Sequence, residues 1–133
     1  MVALTAGRNT PARYDGVEHH PVKGGVTIFA GAIVALDAAG WAMPGQPGVG
    51  LIAVGRAEHA ASAVTNGERN VRVRRGTFQF ANSASTDAIT RAEIGDPAYV
   101  VDDQTVAKTN GSGARSVAGI IRDVDAQGVW IEF

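Results

Sequence analysis

The sequence predicts an all-β chain: a small single-domain β-barrel or β-sandwich with one short helix and an extended N-terminal arm. Three observations predict it. Short β-branched or aromatic runs recur from Val26 to Phe133, and Gly, Asn or Asp punctuates them. Two runs, Val71-Arg72-Val73-Arg74 and Thr77-Phe78-Gln79-Phe80, alternate with the period of a half-buried strand. Helix signals gather at a single short segment, and residues 1–23 have no apolar period.

Taken in order, residues 1–23 hold Arg8, Arg13, Tyr14, Glu18, His19 and His20, and Pro11 and Pro21 favour an extended course. An arm lying on a surface is expected, with a short strand at Val2–Thr5 and a neighbouring subunit as the simplest support. Residues 24–133 form the β domain. Val26-Thr27-Ile28-Phe29 and Ile33-Val34-Ala35-Leu36-Asp37 flank Ala30-Gly31, and Ala38-Ala39-Gly40 turns into Trp41-Ala42-Met43. Pro44 to Gly48 is a loop by composition. Leu51 to His59 is extended, and Gly55 within it marks a bulge. Asn66-Gly67 is a turn inside a longer loop. Phe78 and Phe80 share one face and enter the core.

Thr86 is expected to cap a helix over Asp87–Glu93, which Gly95 stops and Pro97 keeps from resuming. The last forty or so residues read as a β-meander. Tyr99-Val100-Val101 leads through Asp102-Asp103-Gln104 to Thr105–Thr109, then Asn110–Gly113 loops to Ser116–Val124, and Asp125–Gly128 turns into Val129–Phe133. Phe133 is expected to be packed.

The 133 residues suit one domain with a core of its own. Cysteine is absent, which excludes disulfides, thiolate metal sites and cysteine nucleophiles. No unbroken apolar run reaches membrane-spanning length, because Gly24, Gly25, Thr27 and Gly31 break the most apolar stretch. Arg8, Arg13, Asp15 and Glu18 precede that stretch, which is not the order of a secretory leader, so a soluble protein of a cytoplasm-like compartment is expected. The net charge of −1 does not suit a general polyanion binder. Residues 1–75 carry eight Lys/Arg against five Asp/Glu, and residues 76–133 carry four against eight. Such a chain can pack against copies of itself or a patterned partner, unless folding intermixes the charges.

Residues with chemical potential are few. Adjacent His19 and His20 point oppositely in an extended chain, so with His59 they read as solvated arm and surface histidines rather than a metal cluster. Asp102-Asp103 and Asp123-Val124-Asp125 lack calcium-loop spacing and read as turn acids. Gly45-Gln46-Pro47-Gly48-Val49-Gly50 has no following lysine or helix and reads as a loop rather than a phosphate cradle. No nucleophile elbow or distinct carboxylate pair points to an enzyme, and no cofactor is expected. The Arg69-Asn70-Val71-Arg72-Val73-Arg74-Arg75 stretch puts Arg72 and Arg74 on one face, either a contact stripe or a solvated basic strand. Without interleaved aromatics it does not suit nucleic acid.

The order of several segments resembles the small head-decoration, or capsid cement, proteins of tailed bacteriophages. They are Lys23-Gly24-Gly25, Ala30 to Gly40, Val54-Gly55-Arg56-Ala57, Val71 to Phe78, Gly95 to Val106, Ala118-Gly119-Ile120-Ile121 and Gly128-Val129-Trp130-Ile131. The resemblance covers residues 23–133 and lies in order and spacing rather than in one diagnostic motif. It implies a β-barrel or β-sandwich on the outer capsid surface, assembled in the host cytoplasm, that bridges major capsid protein subunits and stabilises the shell. The family has no catalytic residues to carry over. Its implied partners are the phage major capsid protein and copies of the chain itself, with a trimer the first expectation and a dimer the second; neither nucleic acid nor membrane is a direct partner. Val2, Leu4, Arg8, Arg13 and Tyr14 on the arm, and Arg69, Arg72, Arg74 and Arg75 on the stripe, are the expected capsid or subunit contacts. A phage tail or baseplate component, or a carbohydrate-binding β module using Trp41 or Trp130, is the rival expectation.

Overall fold

The computed structural model describes residues 2–12 and 16–133. Its strands fall into two groups that divide the chain near Gly76. In the first, β1 (Val17–Pro21), β3 (Ile33–Leu36), β4 (Ala42–Pro44), β5 (Ile52–Ala57) and β7 (Asn70–Arg74) form a five-stranded sheet in the order β1-β7-β5-β3-β4. A two-stranded ribbon of β2 (Thr27–Ile28) and β6 (Ala61–Ser62) accompanies it. The sheet curls back on itself. Val22, one residue past β1, bridges in parallel to Ala42 of β4, and the Lys23 amide donates to the Ala42 carbonyl at 2.8 Å. The curl wraps a core that includes Val22, Ile28, Val34, Val54, Val71 and Val73.

In the second group, β8 (Thr77–Asn82), β9 (Pro97–Val100), β10 (Thr105–Ala107), β11 (Val117–Asp125) and β12 (Gly128–Glu132) close into a barrel in the order β10-β8-β12-β11-β9. Its core includes Phe80, Ile89, Val106, Ile121, Val129 and Ile131. Phe78 and Phe80 do share the inward face, and Phe133 packs on both, its ring 5.8 Å from that of Phe80 in an edge-on contact. Consecutive residues of β3 join the two groups: Val34 enters the first core and Ile33 the second. The Arg56 guanidinium on β5 lies 4.1 Å from the centre of the Phe78 ring on β8, a further tie across the divide.

Three local expectations need correction. The C-terminal strands are two hairpins rather than a meander: β9 pairs with β10 and β11 with β12, but β11 returns to β9, and β10 turns its other edge to β8 in parallel. A meander would leave edges open, whereas this order closes the barrel and gives every strand two neighbours. The short helical segment is present as two 3-10 turns, Ser85–Asp87 and Arg91–Glu93, and its capping box is built on Thr90 rather than Thr86. The cause is Asn82. Its side chain donates to the Ile89 carbonyl and accepts from the Ile89 amide, both at 2.8 Å, which takes Ile89 out of a helical ladder and drops its side chain into the barrel core. Finally, Val2–Thr5 forms no strand.

The bulge expected at Gly55 is there. The β3–β5 register passes from Val34↔Gly55 to Ala35↔Ala53, leaving Val54 as the extra residue. Gly55 has φ +146°, and a Cβ on it would run into the Arg74 carbonyl of the neighbouring strand. Only glycine permits that approach of β5 to β7.

Candidate functional site

The surface of interest is built on β7 and the strands beside it. Alternation sends Val71 and Val73 inward, where both are fully buried, and turns Arg72 and Arg74 outward. Neighbouring strands then answer some of these charges. The Arg74 Nε donates to Glu58 at 3.0 Å, and Arg56 donates to the same carboxylate oxygen at 2.8 Å. Arg75 donates to Glu18 of β1 at 2.8 Å, and the other oxygen of that carboxylate faces His20 at 2.9 Å. These cations hold the Glu58 and Glu18 carboxyls below their ordinary value, with the Arg56 bond the largest cause for Glu58 and the Arg75 bond the largest for Glu18.

The stripe is therefore two kinds of arginine. Arg74 and Arg75 are committed to intramolecular pairs. Arg69 and Arg72 are exposed and make no ion pair among the described residues; Arg69 Nη1 donates only to the Glu68 carbonyl, at 3.2 Å. The sequence showed the alternation but not the division, because Glu18 and Glu58 lie far from the stripe in the chain.

On the arm, residues 2–12 are exposed throughout, with Val2 94% and Leu4 73% accessible. Among the described residues none of them hydrogen-bonds to the body through its backbone, and Arg8 has no ion pair. Arg13 and Tyr14 lie outside the described residues. The arm joins the body through β1, whose five residues pair with β7 from Val17↔Arg74 to Pro21↔Asn70.

His59 has structural work. His59 Nδ1 donates to the Ala60 carbonyl at 2.9 Å, which leaves Nε2 to accept the Arg72 amide at 3.1 Å. The ring thus continues the β5–β7 ladder where β5 has ended. Among the described residues no group of three His, Asp or Glu could hold a metal. The aspartates act as turn residues: Asp102 accepts from the Gln104 amide at 2.9 Å, and Asp125 accepts from Gln127 at 2.9 Å and Gly128 at 3.1 Å. Asp125 also accepts from the Trp130 indole at 2.9 Å, the chief cause of its lowered pKa. Trp130 and Trp41 are both half-buried, on β12 of the barrel and at the entry to β4, and among the described residues neither makes a ring contact with another aromatic side chain.

The sequence reading passed over the outer face of the β2–β6 ribbon. Phe29, 64% accessible, and Val64, 82%, stand at its two ends. Phe29 lines a shallow depression of about 380 Å³ with Ala30, Asp103 and Gln104. Val64 lines another of about 510 Å³ with Gly25, Ser62, Glu68 and Arg69. Composition hid this face, since the ribbon is short and its apolar residues look like ordinary strand residues.

No protein-family model, curated protein or solved structure matches the chain.

Proposed function

We propose that this chain is a structural protein of a tailed-phage virion, which binds the outer surface of the icosahedral capsid and stabilises it by bridging major capsid protein subunits. The observation that carries the reading is the arm: Val2 and Leu4 stand out in solvent on a segment that makes no backbone hydrogen bond to its own body among the described residues. Apolar side chains held off a folded body gain most from a partner that covers them. The order of segments that resembles capsid cement proteins supports the same reading. The body serves as a binding module and performs no catalysis.

The mechanism is mass action with multivalency. Each copy adds a modest interface, and a copy that grips several capsid subunits leaves only when those contacts break together. The arm takes the capsid contact through Val2, Leu4, Arg8, Arg13 and Tyr14, and Arg69 and Arg72 are the cations of the stripe left for a partner.

The test is co-sedimentation of the purified protein with expanded, undecorated phage heads, with copies per shell counted. Saturation at a symmetry-related number is expected, and absence of binding to mature heads would overturn the reading. Removing residues 1–12 is expected to abolish binding. That cut spares β1, which a deletion through residue 22 would strip from the sheet.

A further inference from the structure

The chain holds two Asn-Gly pairs, Asn66-Gly67 and Asn110-Gly111, and a threonine precedes each. Glycine after asparagine leaves its amide nitrogen open to attack the asparagine side chain, because no Cβ stands in the way. The two pairs are alike in local sequence, and both asparagines are exposed. Hydrogen bonds separate them. The Gly67 amide donates to the Val22 carbonyl at 2.9 Å, and Asn66 Oδ1 accepts from the Gly24 amide at 2.8 Å. Nitrogen and carboxamide are thus each tied to residues 22–24. The packing there is close: a Cβ on Gly24 would stand 2.9 Å from the Asn66 nitrogen.

Asn110-Gly111 lies in the loop between β10 and β11. Among the described residues the Gly111 amide donates to nothing, and Asn110 Oδ1 accepts only the Gly113 amide, at 3.1 Å, within the loop itself. The fold itself calls for glycine here. Gly111 has left-handed backbone, φ +61°, and a Cβ on it would stand 3.1 Å from Arg115 Nε.

From this we infer that Asn110 is a site of spontaneous deamidation in the folded protein, and that the fold protects Asn66. The Gly111 nitrogen, deprotonated by hydroxide, attacks Asn110 Cγ. The N–Cγ bond forms and the Cγ–Nδ2 bond breaks. Ammonia leaves with a proton taken from water, which restores the hydroxide. Water then opens the cyclic imide at either carbonyl, to aspartate or to isoaspartate. The products differ in consequence. Aspartate keeps an oxygen for the Gly113 amide. Isoaspartate reroutes the main chain through Cβ and Cγ, and the carbonyl that accepts the Arg115 amide at 2.9 Å becomes a carboxylate off the chain. Either product adds negative charge to residues 76–133, which already carry eight acidic side chains against four basic. The inference concerns the chain by itself and does not rest on capsid binding.

Incubation of the intact folded protein in mildly alkaline buffer, followed by tryptic peptide mass mapping, tests it. Cleavage after Lys and Arg places the sites on separate peptides, residues 57–69 and residues 109–115. Asn110 is expected to convert about tenfold or more faster than Asn66, whose two hydrogen bonds must break before attack. In urea the two sites are expected to convert at similar rates, since each is then an unfolded Thr-Asn-Gly. A folded chain whose Asn110 keeps its amide while the urea-unfolded chain loses it would overturn the inference. So would a folded chain in which Asn66 converts as fast as Asn110.

Discussion

Asn82 shows how one side chain redirects a segment. At the end of β8 its amide makes the two hydrogen bonds that a neighbouring strand would otherwise make to Ile89, and Ile89 is 2% exposed. Asn82→Ala leaves the Ile89 amide and carbonyl without those partners, and an unsatisfied buried polar group costs about 1–3 kcal/mol. Urea unfolding is expected to show a loss in that range, and a variant as stable as wild type would mean that water replaces the amide. The residue was not legible as important, because a lone Asn between strand and loop is ordinary in sequence and its partner lies seven residues on. The Arg72/Arg74 alternation was legible, since period two is a property of neighbours in the chain. Which of those arginines already has a carboxylate was not, since Glu58 reaches Arg74 only when β5 lies beside β7.

At the scale of elements, local signals located nearly every strand, because turn residues and β-branched runs act over a few residues. Their partners are another matter. The parallel pair of β8 and β10 reaches across the intervening β9 and both 3-10 turns, and nothing near Thr105 or Ala81 announces it. β1 is a second case: with His19, His20 and Pro21 it reads as arm, yet it pairs along its whole length with β7 and delivers Val22 to the core, fully buried. Two truncations separate arm from strand. Loss of residues 1–12 is expected to leave the thermal midpoint unchanged, since those residues are exposed. Loss of residues 1–22 is expected to cost about 3 kcal/mol or more, through the missing Val22 side chain and the strand's hydrogen bonds. Equal midpoints for the two truncations would refute the role given to β1.

Across the whole molecule, the division of charge seen in the sequence survives folding. The first sheet ends at Arg74 and the barrel begins at Thr77, so residues 16–75, with six basic and four acidic side chains, and residues 76–133, with four and eight, build different units. Every ion pair between described residues stays within its own half, from Lys23–Asp37 and Arg75–Glu18 in the first to Arg115–Asp87 and Arg122–Glu132 in the second. Glu18, Glu58 and Asp37, held chiefly by Arg75, Arg56 and Lys23, and Asp87, Glu93, Asp125 and Glu68, held chiefly by Thr109, the Thr90 amide, the Trp130 indole and the Val64 amide, all have lowered pKa values. A lowered folded-state pKa gives stability that is complete above the ordinary values of 4.5 for Glu and 3.8 for Asp. That stability is lost as pH falls through the lower folded-state values. The thermal midpoint is therefore expected to stay level from neutral pH down to about pH 5 and to fall below it. Glu58→Gln should be less stable at neutral pH and fall less steeply in acid; an acid slope unchanged from wild type would count against this account of Glu58.

Residue order alone settles the class of fold, the positions of most turns, the inward face of β7 and β8, and the unequal charge of the two halves. Each of these depends on periodicity, turn chemistry or composition, which act between neighbours or in sum. The curl closed by Val22 and Ala42, the parallel seam of the barrel, and the exposed ribbon with Phe29 and Val64 at its ends belong to the folded chain. Each brings together residues far apart in sequence. Their cause is the requirement that buried backbone groups and apolar faces find partners, and that requirement is met only by the structure as a whole.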